Sequence, residues 1–175
     1  MQNLKLLLFF CLIIFFSFRT KPHNDEKILW LKLDEVTAKV KEQSKPILID
    51  LYTDWCYWCK VMDKKTYSKS KVIDYINEHF YCARINAETK DVLNWNDKTY
   101  TYNNNYRIND FALFITSGQP SFPTTVIISD GNAAPIAVPG FMEPKELELV
   151  LRYFGDGDYK TKTFPEYQKA FKPSW

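Results

Sequence analysis

Residues 47–60 read Ile-Leu-Ile-Asp-Leu-Tyr-Thr-Asp-Trp-Cys-Tyr-Trp-Cys-Lys. The first six are a short apolar run of the kind expected for a strand buried on both faces, and such a strand sits centrally in a sheet. Ser44-Lys45-Pro46 breaks the chain just before it. Thr53 and Asp54 are helix-capping residue types, so the stretch from Trp55 onward, with Val61 and Met62 as apolar points, reads as a helix whose first turn holds Cys56 and Cys59. Two cysteines separated by two residues have the spacing of a redox pair or of half a zinc site. Thiol–disulfide exchange needs a thiolate, and a free cysteine with a pKa of about 8.5 is mostly protonated at neutral pH. The unpaired amides and positive end of a helix N-terminus stabilise negative charge. Cys56, nearer that end, is therefore the expected nucleophile, and Cys59 the resolving thiol that breaks the mixed disulfide.

Working outward, Ile28 to Leu33 reads as a strand, and Leu33, Val36 and Val40 recur at helical spacing to about Gln43. A polar break at Ser68 to Lys71 precedes a short helix with Val72, Ile73 and Ile76 inward, then a strand from Phe80 to Ile85. The order to this point is βαβαβ. Residues 87 to 119 are rich in Asn, Tyr and Thr up to Tyr106, after which Ile108, Phe111, Ala112 and Ile115 fit a helix; this is read as an inserted loop followed by a helix. Thr124 to Ser129, a turn at Asp130-Gly131-Asn132 and a strand around Ile136 to Val138 form a hairpin. Leu147, Val150, Leu151 and Phe154 then give a helix after Pro144, and a last amphipathic piece runs from Pro165 to Phe171.

The 47–60 segment resembles the active-site strand and helix of the thioredoxin superfamily in order and spacing. Trp55 precedes the first cysteine, Lys60 follows the second, Asp50 lies six residues before Cys56, and Phe122-Pro123-Thr124 resembles the cis-proline loop of that family. The Asp-Trp-Cys-x-x-Cys-Lys form looks most like the secreted bacterial thioredoxin-like domains, including the C-terminal domain of the thiol:disulfide interchange reductase. The resemblance runs from about Ile28 to Phe154. It implies an α/β fold with a thioredoxin-like central mixed sheet flanked by helices, the insertion preceding the cis-Pro strand. It also implies that Asp50, buried on an apolar strand with a raised pKa, takes the proton from Cys59; the alternative is a structural carboxylate. In the family a basic residue on the neighbouring strand modulates that acid, and Arg84 stands at the comparable place, unless it faces the surface. A cis Pro123 would free the backbone at Phe122 to pair with an extended substrate, where an ordinary turn proline would not. Trp55, Tyr57, Trp58, Phe122 and Pro123 are the expected substrate-binding residues.

Two departures from the family pattern stand out. Tyr57-Trp58 replaces Gly-Pro between the cysteines, which leaves the redox potential open within the ~150 mV spanned by such pairs. The insertion carries Trp95, Tyr100, Tyr102 and Tyr106, and is either a partner-recognition rim or a loop packed on the fold. A zinc site would need two more ligands, and Cys82, His23 and His79 are not at paired spacing. A copper carrier would want a histidine near the cis-Pro position, and neither histidine is there. No metal and no cofactor is expected. Cys82 reads as a core thiol, and Lys64, Lys65, Lys69 and Lys71 as a solvated helix face.

The length of 175 residues allows one domain with a proper core. With 23 Lys and Arg against 21 Asp and Glu, the net charge of +2 points to no nucleic-acid partner. Lys5 followed by the unbroken apolar run Leu6 to Phe16 marks residues 1–20 as a targeting segment. That run is shorter than the ~20 residues of a spanning helix and suits a signal peptide, although no small-x-small cleavage site follows; a retained N-terminal membrane anchor is the alternative. Cys11 lies inside the run and is taken as incidental. Residues 21–27 read as a linker and 28–175 as the domain. The expectation is an exported, periplasmic or otherwise extracytoplasmic thiol:disulfide oxidoreductase acting on protein thiols or disulfides with a redox partner protein, the reductive direction favoured. The rival is a non-enzymatic binding module with a static disulfide, or a copper-handling protein of the same fold.

Overall fold

In the computed structural model residues 27–175 are described. The targeting segment, Cys11, His23 and the linker short of Lys27 lie outside the described residues. In chain order the elements are β1 (Trp30–Leu31), α1 (Leu33–Glu42), β2 (Ile47–Tyr52), α2 (Tyr57–Lys65), α3 (Ser70–His79), β3 (Tyr81–Asn86), β4 (Leu93–Trp95), β5 (Lys98–Tyr100), β6 (Tyr102–Asn103), β7 (Ile108–Asn109), α4 (Asp110–Ile115), β8 (Thr124–Ile128), β9 (Ile136–Pro139), α5 (Pro144–Gly155), a 3-10 turn at Asp158–Lys160, and α6 (Phe164–Ala170).

Five strands form one mixed sheet in the order β1-β3-β2-β8-β9. β2 lies at its centre, parallel to β3 and antiparallel to β8. That position follows from its sequence: Ile47, Leu48, Ile49 and Leu51 are all fully buried, and burying each such side chain contributes about 1.5–3 kcal/mol of transfer free energy. Because strand side chains alternate, Ile47, Ile49 and Leu51 point to one face. There they meet Leu33 and Val36 of α1, Phe111 and Ile115 of α4, and Trp95. Leu48, Cys82 and Ile127 point to the other face, against Met62 of α2, Ile76 of α3 and Leu147 and Leu151 of α5. Asp50, Arg84 and Thr125 share the parity of that second set, and they stand side by side in register across β3, β2 and β8. The alternation therefore aims Asp50 at the helix that carries the cysteines.

Three sequence expectations are revised. The first strand shrinks from Ile28–Leu33 to two residues, because Trp30 N–H turns back onto the Ile28 carbonyl and Lys32 already caps α1. α2 begins at Tyr57 rather than Trp55, with Cys56 itself as N-cap in place of Thr53 or Asp54. The inserted loop is structured: β4 and β5 form a hairpin, β6 pairs with β7, and β7 leads into α4. The β4–β5 turn is Asn96-Asp97 with both φ positive, the geometry that two-residue hairpins favour and that Asn and Asp tolerate.

Candidate active site

The turn from Thr53 to Cys56 is pinned by the end of β3 and the residues after it. Asn86 Nδ2 donates to Asp54 Oδ2 at 3.1 Å, Trp55 Nε1 donates to Glu88 Oε1 at 3.0 Å, and Cys56 N–H donates to the Thr53 carbonyl at 3.2 Å. Cys56 holds extended backbone, and its Sγ accepts the Cys59 N–H at 3.0 Å. The two cysteines form a disulfide, with Cα atoms 5.3 Å apart. No acidic residue occupies the first turn of α2, so nothing nearby on the helix offsets the positive end of its dipole at Cys56. Both cysteines are almost wholly buried.

Around them the surface is aromatic. Trp55, Tyr57 and Trp58 are 66%, 70% and 54% exposed, which makes them a presented surface rather than core. Trp55 packs edge-on against Phe122 at 5.8 Å between ring centroids, and Trp58 lies 5.6 Å from Phe141. Lys60 is exposed on the first turns of α2. The Phe122–Pro123 peptide is cis. Pro123 is buried, and its carbonyl accepts the Gly140 N–H at 2.8 Å. Thr124 pairs with Leu51, so this loop and the cysteine turn leave the sheet at the same end. The backbone groups of Phe122 make no backbone hydrogen bond among the described residues.

Asp50 lies behind this surface at 2% exposure. Burial pushes its pKa up to about 7, against the pull of Arg84. Arg84 is not a free surface residue: its Nε lies 3.0 Å from Asp50 Oδ2, while its Nη2 donates to Asp63 Oδ1 and Oδ2 at 2.9 and 2.7 Å. The guanidinium also sits 4.5 Å from the Tyr52 ring centroid. Tyr67 shares this region, its hydroxyl 3.3 Å from Thr125 Oγ1. Asp63 is the residue that sequence reasoning missed. Its only linear signal is a spacing of four from Cys59, and its partner stands on another element.

The other candidates fall elsewhere. Cys82 is a buried free thiol whose pKa burial pushes up, consistent with a core role. His79 stacks on Tyr75 at the end of α3. Among the described residues no group of three His, Cys, Asp or Glu is arranged to hold a metal ion. The insertion aromatics divide: Trp95 is buried against Phe111, Tyr100 packs on Phe111 and Phe114, and Tyr106 is exposed.

Residues 33–155 match the thioredoxin-like domain family. Among curated proteins, the thiol:disulfide interchange protein DsbD of Ralstonia nicotianae is 28% identical over 122 residues, 69% of this chain and 17% of the relative. DsbD of a Pseudomonas strain is 37% identical over 55 residues, 31% of this chain and 9% of the relative. Mouse spermatogenesis-associated protein 20 is 27% identical over 66 residues, 38% of this chain and 8% of the relative. The chain thus spans a small part of the length of these relatives. Among solved structures, a thioredoxin-fold protein from Helicobacter pylori superposes with a TM-score of 0.55 at 23% identity, covering 71% of this chain and 78% of that one. A putative disulphide-isomerase from Bacteroides thetaiotaomicron superposes with a TM-score of 0.54 at 20% identity, covering 79% and 98%. These likenesses are to the fold.

Proposed function

This chain belongs to the thioredoxin-like domain family, and from that premise we propose that it is a thiol:disulfide oxidoreductase that reduces disulfides of exported proteins through Cys56 and Cys59. The observation that carries this reading is the Cys56–Cys59 disulfide at the N-terminus of α2, with Sγ of Cys56 facing helix amides and a buried carboxyl of raised pKa behind it. In the dithiol form, the Cys56 thiolate attacks a substrate disulfide; one substrate sulfur leaves as a thiol and the other stays bound to Cys56. Cys59 then gives its proton to the Asp50 carboxylate, and its thiolate attacks Cys56 Sγ. The Cys56–substrate bond breaks, the Cys56–Cys59 bond forms, and the second substrate thiol departs with a proton. Two electrons have passed from the protein dithiol to the substrate, and a redox partner protein must return them.

Trp55, Tyr57, Trp58 and Phe122 form the docking surface for the substrate segment, with the unpaired backbone at Phe122 as its hydrogen-bonding edge. The apolar run Leu6 to Phe16 supports export, and the small share of each DsbD covered leaves whole-protein partners to experiment. Cys59→Ser is the test. It removes the resolving thiol and is expected to accumulate covalent partners through Cys56, reducible by dithiothreitol and absent from Cys56→Ser/Cys59→Ser. The thiol or disulfide origin of the trapped cysteine gives the direction. If the wild-type chain turns over no disulfide or dithiol substrate and Cys59→Ser traps nothing, the protein is a binding module with a static disulfide.

A further inference from the structure

The Arg84 guanidinium stands between two carboxylates on different elements, and it serves them unequally. Toward Asp63 a single nitrogen, Nη2, donates to both carboxylate oxygens at 2.7 and 2.9 Å, a charge-assisted contact. Toward Asp50 the nearest atoms are 3.0 Å apart, yet Arg84 Nε and Asp50 Oδ2 are both buried with no aligned hydrogen-bond partner among the described residues. The Nε–H is out of line with a carboxylate oxygen only 3.0 Å away. Asp63 lies four residues after Cys59, on the same face of α2, so this helix carries both the resolving cysteine and the group that orients Arg84.

We propose that Asp63 is a positioning residue for disulfide exchange: it holds the Arg84 guanidinium out of line with Asp50, so that the Asp50 carboxyl stays poised to exchange a proton with Cys59. This rests on the proton-transfer role given to Asp50 above. Without the Asp63 carboxylate, the guanidinium is released to align on Asp50 Oδ2, and an aligned charge-assisted bond favours the ionised carboxylate. Asp50 would then be a weaker base toward the Cys59 thiol, and at neutral pH it would less often hold the proton that the Cys59 thiolate needs in the reverse step. Nearby, the Tyr67 hydroxyl meets Thr125, the β8 neighbour of Asp50, Cys82 stands two residues before Arg84 on β3, and the Tyr52 ring lies under the guanidinium. Of these, Tyr67 and Cys82 are held neutral by burial. Arg84 is thus the one cation beside Asp50 among the described residues, and Asp63 decides how it is aimed. Direct repulsion between the two carboxylates acts in the same direction, so the test must separate the two routes.

The experiment is a carbon-13 NMR titration of the Asp50 carboxyl in the full chain, with the pH dependence of disulfide reduction measured in parallel. The variants are Asp63→Asn, Asp63→Glu, Arg84→Gln and Asp63→Asn/Arg84→Gln. The expected result is that Asp63→Asn lowers the Asp50 midpoint by about one pH unit, the low end of the range for an opposite charge brought to bear. The limb of the pH–rate profile moves with it, Asp63→Glu restores both, and the shift largely disappears in the Arg84→Gln background. An unmoved midpoint, or an equal shift with and without Arg84, overturns the proposal, the second outcome because it assigns the effect to repulsion alone. A wild type that turns over while these shifts are absent leaves the oxidoreductase reading standing, and a wild type without turnover removes both.

Discussion

At the scale of single residues, Asp50 costs the fold stability in a way that pH exposes. Its pKa is raised to about 7 in the folded chain, chiefly by burial, from an ordinary value near 3.8. Between those values the folded state holds more protons than the unfolded one, so stability is greatest below pH 4, falls as the pH rises through 7, and is level above. Asp50→Asn has no such dependence and leaves Arg84 paired with Asp63. It is expected to be more stable than wild type at pH 8 by up to about 4 kcal/mol, since a tenfold change in proton affinity between the folded and unfolded chain corresponds to ~1.4 kcal/mol. The two proteins should converge near pH 3. Urea unfolding at both pH values checks this, and a variant less stable at pH 8 would mean that Asp50 is a structural carboxylate. The same variant should lose disulfide exchange. Asp50 was legible from its place on an apolar strand six residues before Cys56. Asp63 was not, because on a helix among Lys60, Lys64 and Lys65 a carboxylate reads as ordinary surface charge until β3 delivers Arg84 to it.

Among the elements, helices with a strong apolar stripe were the most legible. Val72, Ile73 and Ile76 marked α3, and Leu147, Val150, Leu151 and Phe154 marked α5, because a 3.6-residue period has no other explanation in so short a span. The insertion resisted reading for the opposite reason. β4 to β7 are two or three residues each and mostly polar, and they are held by cross-strand pairing and turn geometry that leave no apolar period. Its largest buried side chain among β4 to β7 is Trp95, which is 3% exposed and, with Ile108 of β7, joins Phe111 and Ile115 of α4 in the core. Trp95→Ala is expected to lower the unfolding free energy of the whole domain by about 3–5 kcal/mol, the range for emptying a buried aromatic site. A single shifted urea transition checks it; unchanged global stability would show the insertion to be a separable rim.

Across the whole molecule, the C-terminal segment is tied back onto α3 and α5. Glu148 of α5 is fully buried and accepts hydrogen bonds from the N–H groups of Ser174 and Trp175 at 2.6 and 2.9 Å, from the Ser174 hydroxyl, and from Arg152 Nε at 2.9 Å. Burial alone would raise its pKa, but these bonds outweigh it and hold the carboxyl below its ordinary value. Trp175 packs on Tyr75, and Lys71 Nζ reaches the Ser174 carbonyl. Glu148→Ala strips four donors of their acceptor and is expected to cost about 3 kcal/mol or more, with the last residues becoming the first site of limited proteolysis. A stability within about 0.5 kcal/mol of wild type, the scatter of surface substitutions, would show the segment to be passively packed. Glu148 lies between Leu147 and Leu149, and nothing in that local pattern names Ser174 and Trp175 as its partners. Local pattern by itself determined the central strand, the helix that presents Cys56 and Cys59, and the α/β order of the chain, because alternation and helical period are properties of neighbouring residues. Only the tertiary structure decided that Arg84 turns to Asp63, that the insertion is anchored through Trp95, and that Glu148 holds the end of the chain. Each is a pairing between distant elements, and a side chain's partner in space is set by how those elements pack.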